Sequence, residues 1–231
     1  MGWTAALLLA ALAICGCGSQ KLLSAKFDND PVGDPPEMDQ ELGRCRTTLF
    51  GDVSVEHLEG GRWVRLTQGQ AELEPPAELR CSCVATRGDG HYLFTMRMFV
   101  PTGSSAAVLF QSAGFDPTAF FRIDFPDSGV LHAPGSTVVA GRFPRDEIFS
   151  IAVNLTIGEV STVEVTLLGG ASGSFIANIE PQLLLDARNF SSIELNTSSR
   201  KPGSEFFAND LSVLYNRRPI RPPDEQTPST Q

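Results

Sequence analysis

The chain has 231 residues, of which 42% are hydrophobic, and its 18 basic and 27 acidic side chains give a formal net charge of −9. This length is enough for one sizeable domain with its own hydrophobic core. The acidic balance excludes a protein that tracks nucleic acid by charge, because such binding depends on lysines and arginines that neutralise phosphates.

The first predicted element is an export signal over residues 1–16. The unbroken run of small and apolar side chains from Ala5 to Cys15 is too short for a membrane span, which needs about 20 residues, and is typical of a secretory signal. Residues 14–17, Ile-Cys-Gly-Cys, resemble the lipobox of bacterial lipoproteins. The resemblance implies cleavage before Cys17 and acylation of Cys17, with palmitate as one of the acyl chains. These chains would anchor the protein to a membrane of the bacterial cell envelope, which is the outer membrane if the source is diderm.

Three further segments complete the predicted organisation. A short tether over residues 17–26 joins the anchor to one domain over residues 27–215. The polar, Pro-rich tail over residues 216–231 is predicted to be disordered, because its composition offers little apolar surface to bury.

Three cysteines follow Cys17, at Cys45, Cys81 and Cys83. An exported chain meets an oxidising compartment in which cysteines pair, and an odd number leaves one of them free. We expect Cys45 to bond to Cys81 or to Cys83. Because Cys81 and Cys83 lie two residues apart on a predicted strand, they face the same side and either could be the partner.

Most of the predicted domain carries strand patterns. Residues 53–66 predict a hairpin, and from residue 91 onward apolar and polar side chains alternate with the period of a half-buried strand. The clearest alternating runs are 91–100, 121–125, 149–157, 163–167 and 211–215. Turns rich in Pro and Gly separate them. The pattern predicts an all-β, antiparallel sandwich of two sheets; only residues 182–188 also fit a short helical turn.

The order of these strands resembles a concanavalin A-like, or laminin G-like, jelly roll. The resemblance covers residues 27–215. It rests on an early Phe27-Asp28-Asn29-Asp30 segment and a late Phe-Phe-Ala-Asn-Asp-Leu-Ser-Val segment over residues 206–213. Domains of this class often pair two such strands. The class includes lectins, carbohydrate-binding modules, glycosidases, lyases and passive spacers, so the resemblance implies a fold and leaves the function open.

Two groups of residues are candidate binding sites. Phe120, Arg122 and Asp124 are predicted to share one face of a strand, and this mixture of aromatic and polar groups suits a ligand. The second group could hold calcium, which takes six to eight oxygen ligands. It consists of the carboxylates of Asp28, Asp30 and Asp34, joined by Asp210 if the terminal strands pair.

No residue is predicted to be catalytic. The segment Glu37-Met-Asp-Gln-Glu41 has the spacing of the carboxylates in jelly-roll glucanases. It follows Asp34-Pro-Pro, however, and is interpreted as a solvated acidic loop. The sequence therefore favours a membrane-anchored envelope lipoprotein whose non-catalytic β-sandwich binds carbohydrate or a protein partner. The alternative is a polysaccharide-active glycoside hydrolase or lyase of jelly-roll type.

Overall fold

Strands dominate the structure, as the period-2 alternation predicts. A computed structural model describes residues 19–48, 51–70, 74–114, 117–198 and 201–217. The predicted signal peptide, Cys17 and residues 218–231 lie outside these ranges. The strands of the described residues are β1 Gln20–Ala25, β2 Arg44–Thr47, β3 Asp52–Leu58, β4 Gly61–Thr67, β5 Glu78–Ser82, β6 Gly90–Phe99, β7 Ala106–Ser112, β8 Ala119–Phe125, β9 Val130–His132, β10 Val139–Arg142, β11 Ile148–Ile157, β12 Thr162–Leu168, β13 Ser172–Asn178, β14 Phe190–Asn196 and β15 Glu205–Asn216.

The strands form two antiparallel sheets that enclose one core. In the large sheet of ten strands the order is β3-β4-β15-β6-β11-β12-β13-β10-β9, with β1 also paired to β15. In the small sheet of five strands the order is β2-β5-β14-β7-β8. The predicted two-sheet antiparallel sandwich is confirmed.

Helical structure in the described residues is confined to three short segments. These are 3-10 turns at Phe27–Asn29 and Pro181–Leu183, and one helix, α1, at Leu184–Arg188. Residues 182–188 therefore form the helical turn rather than a buried strand. The described part of the chain contains no helix long and apolar enough to cross a membrane.

Aromatic side chains from both sheets meet in the core. Phe94 of the large sheet packs edge to face on Phe110 of the small sheet, with ring centroids 5.5 Å apart. Tyr92 packs on Phe190 in the same geometry at 5.2 Å. Such pairs add to the stabilisation from the buried apolar area, so they fix how one sheet sits on the other.

The predicted tether over residues 17–26 is wrong for residues 20–25, because these residues form β1. This strand pairs with the end of β15, from Gln20 opposite Tyr215 to Ala25 opposite Leu211. Leu22 and Leu23 are fully buried. Burying a leucine side chain contributes about 1.5–3 kcal/mol, which favours a strand over a solvated linker. The folded domain therefore begins before Phe27.

A disulfide joins β2, an edge strand of the small sheet, to the neighbouring strand β5. Cys45 on β2 lies directly opposite Cys81 on β5, and their sulfur atoms are bonded. Cys83 is a free cysteine. It follows the end of β5, and burial raises the pKa of its thiol to about 12. Cys83, the alternative partner that the spacing left open, is therefore not bonded to Cys45 in this structure.

Candidate functional site

The outer face of the small sheet carries polar side chains that are buried although they point away from the core. On β14, Ile193 and Leu195 belong to the core, so Ser192, Glu194 and Asn196 face outward by strand alternation. Their relative exposures are only 3%, 5% and 5%. A strand whose outer face is polar and shielded indicates a built site rather than an ordinary solvated surface.

Glu194 is the centre of this buried polar network. Its Oε2 accepts hydrogen bonds from Arg80 Nη2 at 2.9 Å and from Gln111 Nε2 at 2.6 Å. Its Oε1 accepts a third from Asn196 Nδ2 at 3.1 Å. Gln111 in turn accepts a hydrogen bond from Ser192 Oγ at 3.3 Å. A buried carboxylate is stable only with such partners, and the shared bonds fix the side chains in place.

A groove of about 670 Å³ lies over the β2–β5–β14 side of this face. We call it the outer-face groove. Arginines, one glutamate and hydroxyl groups line it, among them Arg44, Arg46, Glu78, Arg80, Ser82 and Ser192. Its volume lies within the range of about 300–1,000 Å³ that is typical of small-ligand sites.

Glu78 contributes its carboxyl group to the lining of the groove. In the sheet register Glu78 lies opposite Asn196, and Arg80 lies opposite Glu194. The two glutamates are therefore diagonal neighbours on one face. Burial raises the pKa of Glu78, the nearby charge of Glu194 raises it further, and Arg80 opposes both effects.

The prediction that Phe120 shares a strand face with Arg122 and Asp124 is wrong, although all three residues line the second cavity described below. A bulge in the pairing of β7 with β8 leaves Phe120 as the extra residue between partners of Phe110 and Gln111. Bulges break the alternation of faces, so Phe120 turns into the core and packs edge to face on Phe190 at 5.9 Å. Only Arg122 and Asp124 stay on the outer face, where both are exposed.

A second cavity of about 540 Å³ lies at the β8 edge of the small sheet. Phe120, Arg122, Asp124, His132 and Glu180 contribute to its lining. Arg122 donates from Nε and Nη2 to Asp124 Oδ1, at 2.9 and 2.7 Å. These two exposed charges thus satisfy each other, as in many surface pairs of little energetic effect. The outer-face groove, whose lining includes the buried and hydrogen-bonded Ser192, is the stronger candidate.

The four aspartates predicted to bind calcium do not come together. The Oδ2 atom of buried Asp30 accepts hydrogen bonds from Glu37 N at 3.0 Å and from Gln40 Nε2 at 3.2 Å. Asp210 lies 3.6 Å from Arg97 Nη1, and the other two, Asp28 and Asp34, are exposed. Within the described ranges no three His, Cys, Asp or Glu side chains could hold a metal ion together. Calcium binding stays a prediction for metal titration.

The acidic segment over residues 37–41 does not form a catalytic row. Asp39 pairs with Arg44 at 2.7 Å. Glu41 accepts a hydrogen bond from Ser24 Oγ at 2.7 Å, and this bond together with Lys21 lowers the pKa of Glu41. Asp39 and Glu41 thus serve different partners around the loop.

Sequence reasoning missed Arg80, Gln111 and Glu194. The available indication was the run of polar residues Ser192, Glu194 and Asn196 in alternation with two core residues. That pattern alone predicts a solvated strand face, and only the structure shows that the face is buried.

Comparison with known proteins identifies the fold class. No family model and no curated protein matches the chain, but solved structures do. The catalytic domain of a glycoside hydrolase family 131 protein from Coprinopsis cinerea matches with a TM-score of 0.56 at 13% identity, covering 88% of this chain and 95% of that chain.

Two further structures give the same result. A carbohydrate esterase from the Shiga toxin-encoding bacteriophage phi24B matches with a TM-score of 0.54 at 16% identity, over 86% of this chain and all of that chain. Lectin II from Ulex europaeus matches with a TM-score of 0.53 at 12% identity, over 85% of this chain and all of the lectin. The protein therefore has the concanavalin A-like jelly-roll fold. At these identities the similarity shows the fold alone.

Proposed function

We propose that the protein binds carbohydrate, without cleaving it, in the outer-face groove. The observation that carries the proposal is that Arg80 and Ser192, which line a groove of ligand size, are tied into the buried hydrogen-bond network around Glu194. Sugar hydroxyl groups both donate and accept hydrogen bonds, so a lining of hydroxyl and charged groups suits them. The lectins among the solved structures of this fold support the same class of ligand.

A glycan array probed with the full chain tests the proposal, followed by titration of the best glycan. Ser82→Trp would fill the groove from β5, and Ser150→Trp is the matched control because it adds the same side chain to half-buried β11 of the large sheet. We expect Ser82→Trp to weaken binding at least tenfold and Ser150→Trp to leave it unchanged. Binding of no glycan, or equal binding by both variants, would contradict the proposal.

A polysaccharide hydrolase or lyase is the second candidate, favoured by the pair Glu78 and Glu194. Glycosidases use two carboxyl groups, one of which has a raised pKa and acts as the general acid. Glu78 lines the groove and has a raised pKa. Release of reducing or unsaturated ends from a bound polysaccharide, abolished by Glu78→Gln, would establish this function. Binding without release would support the non-catalytic one.

We further propose that the chain is exported and anchored to the envelope membrane through lipid on Cys17. The support is the resemblance of residues 14–17 to a lipobox. In a bacterial host, Cys17→Ser should abolish palmitate labelling and release the protein from the membrane fraction. Cys83→Ser is the matched control and should change neither. Labelling that survives Cys17→Ser would exclude this anchor.

A further inference from the structure

Two arginines face each other across the outer-face groove. Arg46 on β2 and Arg80 on β5 are direct cross-strand partners. Like charges placed directly opposite each other on a sheet are destabilising. The pair also occurs in a chain whose formal net charge is −9, so an excess of basic residues does not explain it.

Among the described residues, neither guanidinium finds partners for all of its donors. Arg80 donates from Nη2 to Glu194, but its Nε is buried without a hydrogen-bond partner. Arg46 is exposed, and its side chain has no hydrogen bond or ion pair among the described residues. Arg44, the third arginine of the groove, is paired with Asp39. Free donors therefore lie on Arg46 of β2, whereas Arg80 of β5 is already paired with Glu194 of β14.

The described lining of the groove contains no aromatic side chain. Stacking on an aromatic ring is one common source of affinity for sugars, and the described part of this groove does not provide it. Recognition there must come from hydrogen bonds and charge. The guanidinium group matches a carboxylate especially well, because its planar fork donates two parallel hydrogen bonds.

Building on the carbohydrate-binding function proposed above, we propose that the outer-face groove selects an acidic glycan and binds a uronic-acid carboxylate between Arg46 and Arg80. An anion at this position offsets the two like charges and accepts hydrogen bonds from Arg46. Hydroxyl groups such as Ser82 and Ser192 then contact the rest of the sugar.

The test is calorimetric titration of the full chain with a linear polyuronate and with the same polymer after carboxyl reduction, which keeps the backbone but removes the charge. We expect at least tenfold tighter binding of the polyuronate, and weaker binding as salt is raised. Arg46→Gln should remove most of this preference without disturbing the fold, since the Arg46 side chain has no partner among the described residues to lose. Arg142→Gln, an exposed arginine on β10 of the large sheet, is the matched control.

The outcomes separate the two proposals. Equal binding of the acidic and reduced polymers, or a preference that survives Arg46→Gln, overturns the assignment of an acidic ligand and leaves carbohydrate binding intact. If neither these polymers nor any glycan of the array binds, the carbohydrate-binding function itself fails. Loss of the preference in Arg46→Gln but not in Arg142→Gln supports the assignment.

Discussion

Removal of the disulfide between Cys45 and Cys81 should lower the free energy of unfolding by about 4 kcal/mol. The bond spans a sequence separation of 36 residues. For a closed loop of this length the chain-entropy relation gives about 13 cal/mol/K, or about 3.8 kcal/mol at 25 °C. Within this relation the stabilisation comes from restriction of the unfolded chain, so the native sheet can persist without the bond.

The measurement is urea unfolding of the oxidised protein and of Cys45→Ala/Cys81→Ala. Alanine is chosen because both positions are buried, where a serine hydroxyl would add a desolvation penalty. Cys83→Ala is the control, because this thiol is free and its loss should change stability by much less. Reducing agent should move the wild type toward the double variant and leave the double variant unchanged.

Two results would refute this reasoning. If the double variant unfolds at the wild-type urea concentration, the bond does not constrain the unfolded chain. If Cys83→Ala is the destabilising change and Cys81→Ala is not, the pairing differs in solution. The disulfide also holds β2, the edge strand that carries Arg46, against β5. Where the double variant is still folded, we therefore expect it to bind acidic glycans more weakly.

Two more predictions concern stability. The folded state raises the pKa of Glu78, so the ionised form of Glu78 destabilises the fold. This destabilisation is complete above the folded-state pKa and absent below the unfolded-state pKa. Glu78→Gln should therefore raise the melting temperature at neutral pH but not at about pH 3, and an equal rise at both pH values would contradict this. Phe110→Ala should lower the free energy of unfolding by about 3–5 kcal/mol, because the fully buried ring joins the two sheets. Ile176 is 69% exposed, so Ile176→Ala should change the free energy of unfolding by about 0.5 kcal/mol or less. Similar urea midpoints for the two variants would refute the core assignment.

Local pattern was sufficient to predict the strands and the sandwich, but not every side-chain direction. The alternation over residues 121–125 continues correctly through Arg122 and Asp124. It fails at Phe120, because a bulge opposite Gln111 inserts an extra residue. A bulge is defined by the partner strand, so the sequence of β8 alone does not reveal it. Strand β1 was also not predicted, because its adjacent residues Leu22 and Leu23 are both apolar and do not show the alternation that marks a half-buried strand.

The outer-face groove depends on contacts that are distant in sequence. Arg80 and Glu194 are 114 residues apart, and Gln111 and Glu194 are 83 apart. They meet because β14 lies between β5 and β7 in the small sheet, an order that the strand patterns do not specify. Polar residues on the outer face of an edge strand remain solvated, whereas on a central strand longer side chains such as Arg80 cover them. The position of β14 in the sheet therefore makes Glu194 the buried centre of the network that holds Arg80 in the groove, rather than one more surface carboxylate.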